Sequence, residues 1–153
     1  KNRLGNQAIN PEKVALYALY HDASEILTGD MPTPVKYFNQ SINSAYKELE
    51  HKASRSILNM LPDYLINDYK DIFAARPEDK EIWDTIKAAD KISAYIKCID
   101  EENSGNKEFN NAKNATLKAL KVMNRKDVEI FLEEFVDGFS LTLDEVGSSL
   151  DIK

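Results

Sequence analysis

The sequence predicts an all-α protein, a bundle of about six to seven helices, and three observations carry that expectation. Apolar residues recur at steps of three and four along every long segment, and no alternating strand pattern stands out. Only five glycines and five prolines occur in 153 residues, which leaves few interruptions to helical runs. Helix-start signals stand where the runs begin, such as Asn10-Pro11-Glu12 and the Thr142…Glu145 capping box. All-helical chains of this kind bury their apolar stripes against one another, so a bundle follows.

Size and charge narrow the class. A chain of 153 residues fits one domain over 1–153, with enough length to bury a core without staples. The formal net charge of −6 argues against a nucleic-acid polymer as partner, because that binding relies on Lys and Arg neutralising phosphates. A small anionic substrate would therefore need a cation in its pocket. The single cysteine, Cys98, excludes an intrachain disulfide and a cysteine-cluster zinc site, which suits a reducing cytoplasm. In its helical frame Cys98 reads as a small buried hydrophobe. No apolar run is long enough to span a membrane. The polar opening from Lys1, without a methionine, reads as a cut end.

In chain order, the first helix is expected from Pro11 to about Leu27, with Asn10 capping it. Gly29, Pro32 and Pro34 then break it, and a short turn near Pro34 to Phe38 follows. The second helix is expected near Ser41 to Met60, with Ile42, Ala45, Tyr46, Leu49, Ala53, Ile57 and Leu58 inward. Lys47, Glu48, Glu50, Lys52 and Arg55 form its solvated face, and His51 among them reads as a surface histidine. Pro62 starts a shorter helix through Phe73. A long helix is placed near Glu78 to Glu102, and another from about Lys107 to Met123 with Phe109, Ala112, Leu117 and Leu120 inward. Asp127 to Phe139 is amphipathic through Val128, Phe131, Leu132, Phe135 and Val136, and the capped tail follows.

Two of these helices carry charge where the pattern wants apolar groups. In the first, Val14, Tyr17, Ala18, His21 and Glu25 form one stripe, and Leu16, Leu19, Ala23 and Ile26 form another; both are expected to be buried. His21, Asp22 and Glu25 are spaced to converge on one small volume. Unpaired charge buried there would be costly, so a compensating cation is expected, either a basic side chain or a metal. Imidazole and carboxylate together suit Mn, Fe, Co or Zn. Read alone, the pair favours a core histidine hydrogen-bonded to a neighbour, with Asp22 capping or pairing locally. In the long helix, Trp83, Ile86, Asp90 and Ala94 share a stripe, with small residues around Asp90. Asp90 read alone favours an ion pair with Lys87 or Lys91, or plain exposure. The rigid turn Thr28-Gly29-Asp30-Met31-Pro32-Thr33-Pro34 would lie at the mouth of whatever site His21 and Asp22 form.

The run from Leu19 to Asn39, containing His21-Asp22-Ala23-Ser24-Glu25 and Thr28-Gly29-Asp30-Met31-Pro32-Thr33-Pro34-Val35-Lys36, is followed by Ala88-Ala89-Asp90-Lys91. Together they closely resemble the bacterial 5′-deoxynucleotidases of the HD-domain metal-dependent phosphohydrolase superfamily. The resemblance covers most of the chain and implies an HD-type helical domain. It implies that His21, Asp22 and Asp90 bind one divalent metal, Co, Mn or a similar ion. It further implies that Asp30, Met31, Pro32 and Thr33 line the nucleotide, with Asp22 and Asp90 also facing it, and that Glu25 handles the proton. The activity implied is removal of the 5′-phosphate from deoxyribonucleoside monophosphates by a cytoplasmic homodimer. The family pattern also has a metal-binding histidine upstream of the His-Asp pair, and an arginine and a tryptophan earlier still. No segment before Val14 matches them, so the chain is expected to be N-terminally incomplete, with three metal ligands of four. Two other readings are an HD-superfamily phosphohydrolase with a different substrate and a non-catalytic helical module of the same fold.

Overall fold

The structure is a computed structural model that describes residues 9–36, 38–73 and 76–148. Among these residues every regular element is helical and none is a strand, as the periodicity predicts. The chain divides into two compact units, Ala8–Trp83 and Asp84–Lys153. None of the described helices is long and apolar enough to cross a membrane.

In the first unit α1 spans Pro11–Tyr20 and opens as the sequence predicts. The Asn10 side chain accepts hydrogen bonds from the amides of Glu12 and Lys13 at 2.9 and 3.2 Å, and Pro11 occupies the first turn. α2 is Glu25–Thr28, α3 is Thr33–Lys36, α4 is Gln40–Leu58 and α5 is Asp63–Phe73. Asn39 caps α4 by accepting from the Ile42 amide at 2.8 Å. α4 packs against α2, α3 and α5, and α1 packs against α5. Tyr17, Tyr46, Ala53, Ile72 and Ile82 are buried. Tyr20 meets Tyr69 edge-on at 5.8 Å between centroids and Phe73 at 6.2 Å, while Tyr17 lies 5.7 Å from Trp83. The buried Asp79 carboxylate, in the 3-10 turn Pro77–Asp79, takes an ion pair from Lys13 and a hydrogen bond from the Tyr17 hydroxyl, so its charge is compensated.

The first helix differs from expectation in two ways. It does not run to Leu27: α1 ends at Tyr20, four residues of turn follow, and α2 restarts at Glu25. Through the turn, amides bond three residues back, Ala23 to Tyr20, Glu25 to Asp22 and Ile26 to Ala23, which is 3-10 geometry. Nor is the second apolar stripe buried. Leu16, Leu19 and Ile26 are 44%, 75% and 80% exposed. Successive helical residues turn by about 100°, so a helix that presents Tyr17 to the interior swings Leu16 and Leu19 away from it. The short restart at Glu25 leaves Ile26 outward as well.

In the second unit α6 extends from Lys80, in the preceding unit, to Asn103; α7 is Asn110–Val122, α8 is Lys126–Glu134 and α9 is Leu143–Ser148. The predicted long segments break at their ends into 3-10 turns, Lys107–Phe109 before α7 and Val136–Ser140 after α8. The core joins Ala88, Tyr95 and Ile99 of α6 to Leu120 of α7 and Val128 of α8, with Ile92, Leu117, Met123, Leu132 and Val136 packed around them. The α6 members recur at steps of four, three and four, the spacing that keeps one helix face inward. Arg125 bonds the Asp127 carboxylate through Nε and Nη2 at 3.0 and 2.7 Å and reaches the Thr85 hydroxyl at 3.0 Å, tying the start of α8 to α6. That guanidinium, with the Val128 amide, holds the Asp127 carboxyl below its usual range. Cys98 is buried as a small apolar group. The capping box forms as predicted, with the Thr142 amide donating to Glu145 at 2.7 Å and the Glu145 amide to the Thr142 hydroxyl at 3.3 Å. Phe109, Ala112 and Phe135 are exposed rather than inward. Phe109 falls in the 3-10 turn, whose tighter winding takes it off the face of α7.

Leu120 is 1% exposed at the centre of this core. Leu120→Ala removes its side chain and leaves a cavity, for a loss of roughly 2–5 kcal/mol on denaturant unfolding. A loss under about 0.5 kcal/mol would place the core elsewhere.

Candidate functional site

The site is built where α1 gives way to the turn. At Tyr20 the helical ladder stops, and the His21 ring folds back so that Nδ1 stands 2.7 Å from the Ala18 carbonyl. A carbonyl oxygen only accepts, so Nδ1 carries the hydrogen and the neutral ring's lone pair is on Nε2. That Nε2 is shut off from solvent and has no hydrogen-bond partner among the described residues. Asp22 Oδ2 stands 2.9 Å from it. A lone pair facing a carboxylate oxygen at that distance needs a positive charge, either a proton on the ring or an ion held by both groups. Donors each about 2.0–2.2 Å from one transition-metal ion and at right angles to each other stand about 2.9 Å apart. The pair fits a divalent metal on that count, and the Ala18 carbonyl supplies the outer contact that orients a ligating histidine. The Asp22 side chain is 56% exposed, so the pair opens to solvent.

Glu25 follows at the start of α2 and is partly buried. Burial pushes its carboxyl above the usual 4.5, the charges of Asp22, Asp30 and Glu50 add to the rise, and Lys36 opposes it. Three acidic groups therefore act on a fourth, a surplus of negative charge next to the His21 and Asp22 pair. Gly29 ends α2 at φ 70° and ψ 163°, a backbone shape open to glycine, and its amide donates to the Glu25 carbonyl at 2.9 Å. Asp30 and Pro32 are exposed and Met31 is partly so, which places these three along the surface beyond Glu25, and Thr33 opens α3.

Asp90 lies on α6 in the second unit and is exposed. The stripe predicted for it is split: Ile86 is buried and Trp83 partly so, but Ala94 is exposed like Asp90. Nearby Lys87 pairs instead with Asp84 at 3.8 Å. Among the described residues no three His, Cys, Asp or Glu side chains gather as a metal-binding group. His51 is exposed, as expected for a surface histidine.

A family model described as 5′-deoxynucleotidase YfbR-like matches residues 1–139. The chain belongs to that family. Among curated relatives, a 5′-deoxynucleotidase of Photorhabdus temperata is 44% identical over 152 residues, covering 99% of this chain and 76% of its own. Another from Photobacterium profundum is 42% identical over 146 residues, covering 95% of this chain and 75% of its own. A third, from Vibrio cholerae, has the same identity, 42%, and the same coverages, 95% and 75%. The chain thus spans about three quarters of the length of these relatives.

For this family member, sequence reasoning missed one group of residues at the site. Glu50 was expected on the solvated face of its helix, yet it is half-buried and takes an ion pair from Lys36 Nζ at 2.9 Å. Tyr46 was expected as core and is 4% exposed, but its hydroxyl also donates to the Gly29 carbonyl at 2.8 Å. The available signal was the spacing of Asn43, Tyr46 and Glu50, which puts polar atoms on one face of an otherwise apolar stripe.

The raised carboxyl of Glu25 has a consequence for stability. Its folded value lies above 4.5, so the folded state resists ionisation, and that penalty is present at neutral pH and absent below 4.5. Glu25→Gln without added metal is expected to raise the melting temperature at pH 7 to 8, with the gain shrinking to nothing as pH falls through 4.5. Scanning calorimetry across pH checks it, and an unchanged or lowered melting temperature at pH 8 contradicts it.

Proposed function

We infer that the protein is a 5′-deoxynucleotidase that hydrolyses deoxyribonucleoside 5′-monophosphates to the deoxynucleoside and inorganic phosphate. The observation that supports it most is the membership of the family, joined to a buried His21 lone pair facing Asp22 at 2.9 Å. On this reading the chain acts as one HD-type domain, a cytoplasmic homodimer, and His21, Asp22 and Asp90 hold a divalent metal such as Co or Mn. For His21 and Asp22 the support is geometric; for Asp90 it is the resemblance and its exposed place on α6. Such a metal supplies positive charge against the phosphoryl group and lowers the pKa of water that reaches it.

The remaining steps fall to the protein's own groups. Asp30, Met31, Pro32 and Thr33 bind the nucleotide, fixing its 5′-phosphate toward His21 and Asp22. The Glu25 carboxylate takes a proton from the attacking water as its oxygen bonds to phosphorus. The bond from phosphorus to O5′ breaks, and Glu25 returns the proton to O5′ of the leaving deoxynucleoside. A carboxyl raised by burial and neighbouring acids holds that proton better than an ordinary glutamate, which suits a group that must both accept and donate.

The direct test is phosphate release from a panel of deoxyribo- and ribonucleoside 5′-monophosphates with Co or Mn present. Release is expected from the deoxy forms, weaker from the ribo forms, and lost with chelator. No release from any deoxynucleotide with either metal would sink the reading. Release from ribo forms or other phosphate esters alone would favour a different phosphohydrolase of the superfamily. A second test needs no turnover: His21→Ala and Asp90→Ala should each weaken Co binding by more than about tenfold in calorimetry, since losing even an outer-shell partner of a ligand costs that much. Unchanged Co affinity in Asp90→Ala removes Asp90 from the ligand set.

A further inference from the structure

Both ends of the 29–36 segment are fastened to one face of α4. The Tyr46 hydroxyl donates to the Gly29 carbonyl at 2.8 Å, and the Asn43 side-chain amide donates to the Lys36 carbonyl at 3.1 Å. The Lys36 side chain then returns to the same helix: Nζ donates to Glu50 Oε1 at 2.9 Å and lies 4.9 Å from the centre of the Tyr46 ring. Asn43, Tyr46 and Glu50 are spaced three and four apart, so they share a helix face. Between the fastened ends, the Pro32 carbonyl accepts the amides of Val35 and Lys36 at 2.8 and 3.0 Å, closing the single turn of α3. A four-residue helix has little stability of its own, so its place comes from these attachments.

We propose that Asn43, Tyr46 and the Lys36–Glu50 pair act as positioning residues that set the 29–36 segment for nucleotide binding. None of them need touch the substrate. Their role is to hold the backbone carrying Asp30, Met31, Pro32 and Thr33 in one shape, and this part rests on the proposed nucleotide wall. Two carbonyls fixed by side chains, the buried Tyr46 and the half-buried Asn43, and a lysine whose charge is shared between a carboxylate and a ring make an arrangement stiffer than a connector between helices requires. An ordinary loop would need only the glycine and proline breaks already in its sequence.

The variants that test this are Tyr46→Phe, which keeps the ring beneath Lys36 and removes only the hydroxyl, and Asn43→Ala. Each removes one bond, and a net hydrogen bond of ordinary strength corresponds to about fivefold in an equilibrium. Hydrogen exchange of the amides in 29–36, without nucleotide, should accelerate about fivefold in each variant and more in the double variant. KM for a deoxynucleoside monophosphate should rise by a similar factor with kcat within about twofold, since ground-state and transition-state binding are lost together. Lys36→Arg, which keeps the charge and the ion pair, should restore most of what Lys36→Met loses. Unchanged exchange in the double variant overturns the proposal, and so does unchanged KM. Failure of the nucleotide wall has a separate signature: added nucleotide gives no protection of the amides at 30–33 in the unmutated protein, whatever the variants do.

Discussion

The contact on which the site turns is that between His21 Nδ1 and the Ala18 carbonyl, 2.7 Å long and made within a single turn of chain. It occupies a carbonyl at the very end of α1, where helical carbonyls are left without amides and need another donor. Satisfying that need makes Nδ1 the donor, so whatever positive charge joins the ring to Asp22 has to sit at the buried Nε2. The same event ends the helix, so the chain winds more tightly from Ala23 to Leu27 and Glu25 starts a new element. A histidine bonded elsewhere would leave a longer helix and no reason for the acid beside it.

Charge is the second organising constraint. In the first unit Asp22, Asp30 and Glu50 all act to raise the Glu25 carboxyl, with Lys36 opposing them. One lysine against four acids leaves a local excess of negative charge, in a chain whose formal net charge is already −6. Acid clusters at the end of a helix destabilise a fold unless a cation completes them. The buried Asp79 shows the contrast: it has its lysine and a tyrosine hydroxyl within the protein and asks for nothing further.

Much of the fold was readable in advance because it rests on local chemistry. Asn10 and the Thr142 and Glu145 box each cap where backbone amides lack partners, and such needs are written in a few adjacent residues. The inward face of α6 was misplaced: the stripe expected through Trp83, Ile86, Asp90 and Ala94 gives way to Ala88, Ile92, Tyr95 and Ile99, which the partners on α7 and α8 select. The break at His21 was not readable, because it depends on a side chain competing for a backbone carbonyl, and periodicity treats both simply as helix. Leu16 and Leu19 mislead for the opposite reason: they are apolar, but burial is decided by what lies across from them. At the candidate site, the closeness of His21 and Asp22 was legible, through the run His21-Asp22-Ala23-Ser24-Glu25. The site's supports on α4 were not, since Tyr46 and Glu50 look like core and surface until the tertiary partner is seen.

Gly29 shows what such fixing achieves energetically. Its φ of 70° and ψ of 163° belong to a region other residues avoid, and no heavy atom would obstruct a side chain there, so the requirement is purely one of backbone shape. The entropy lost in holding that shape is surrendered when the chain folds, before any ligand arrives. On the proposed reading, the nucleotide then meets a surface already in its bound form, and selectivity among nucleotides comes from rigid complementarity rather than from a lid that closes on the correct one.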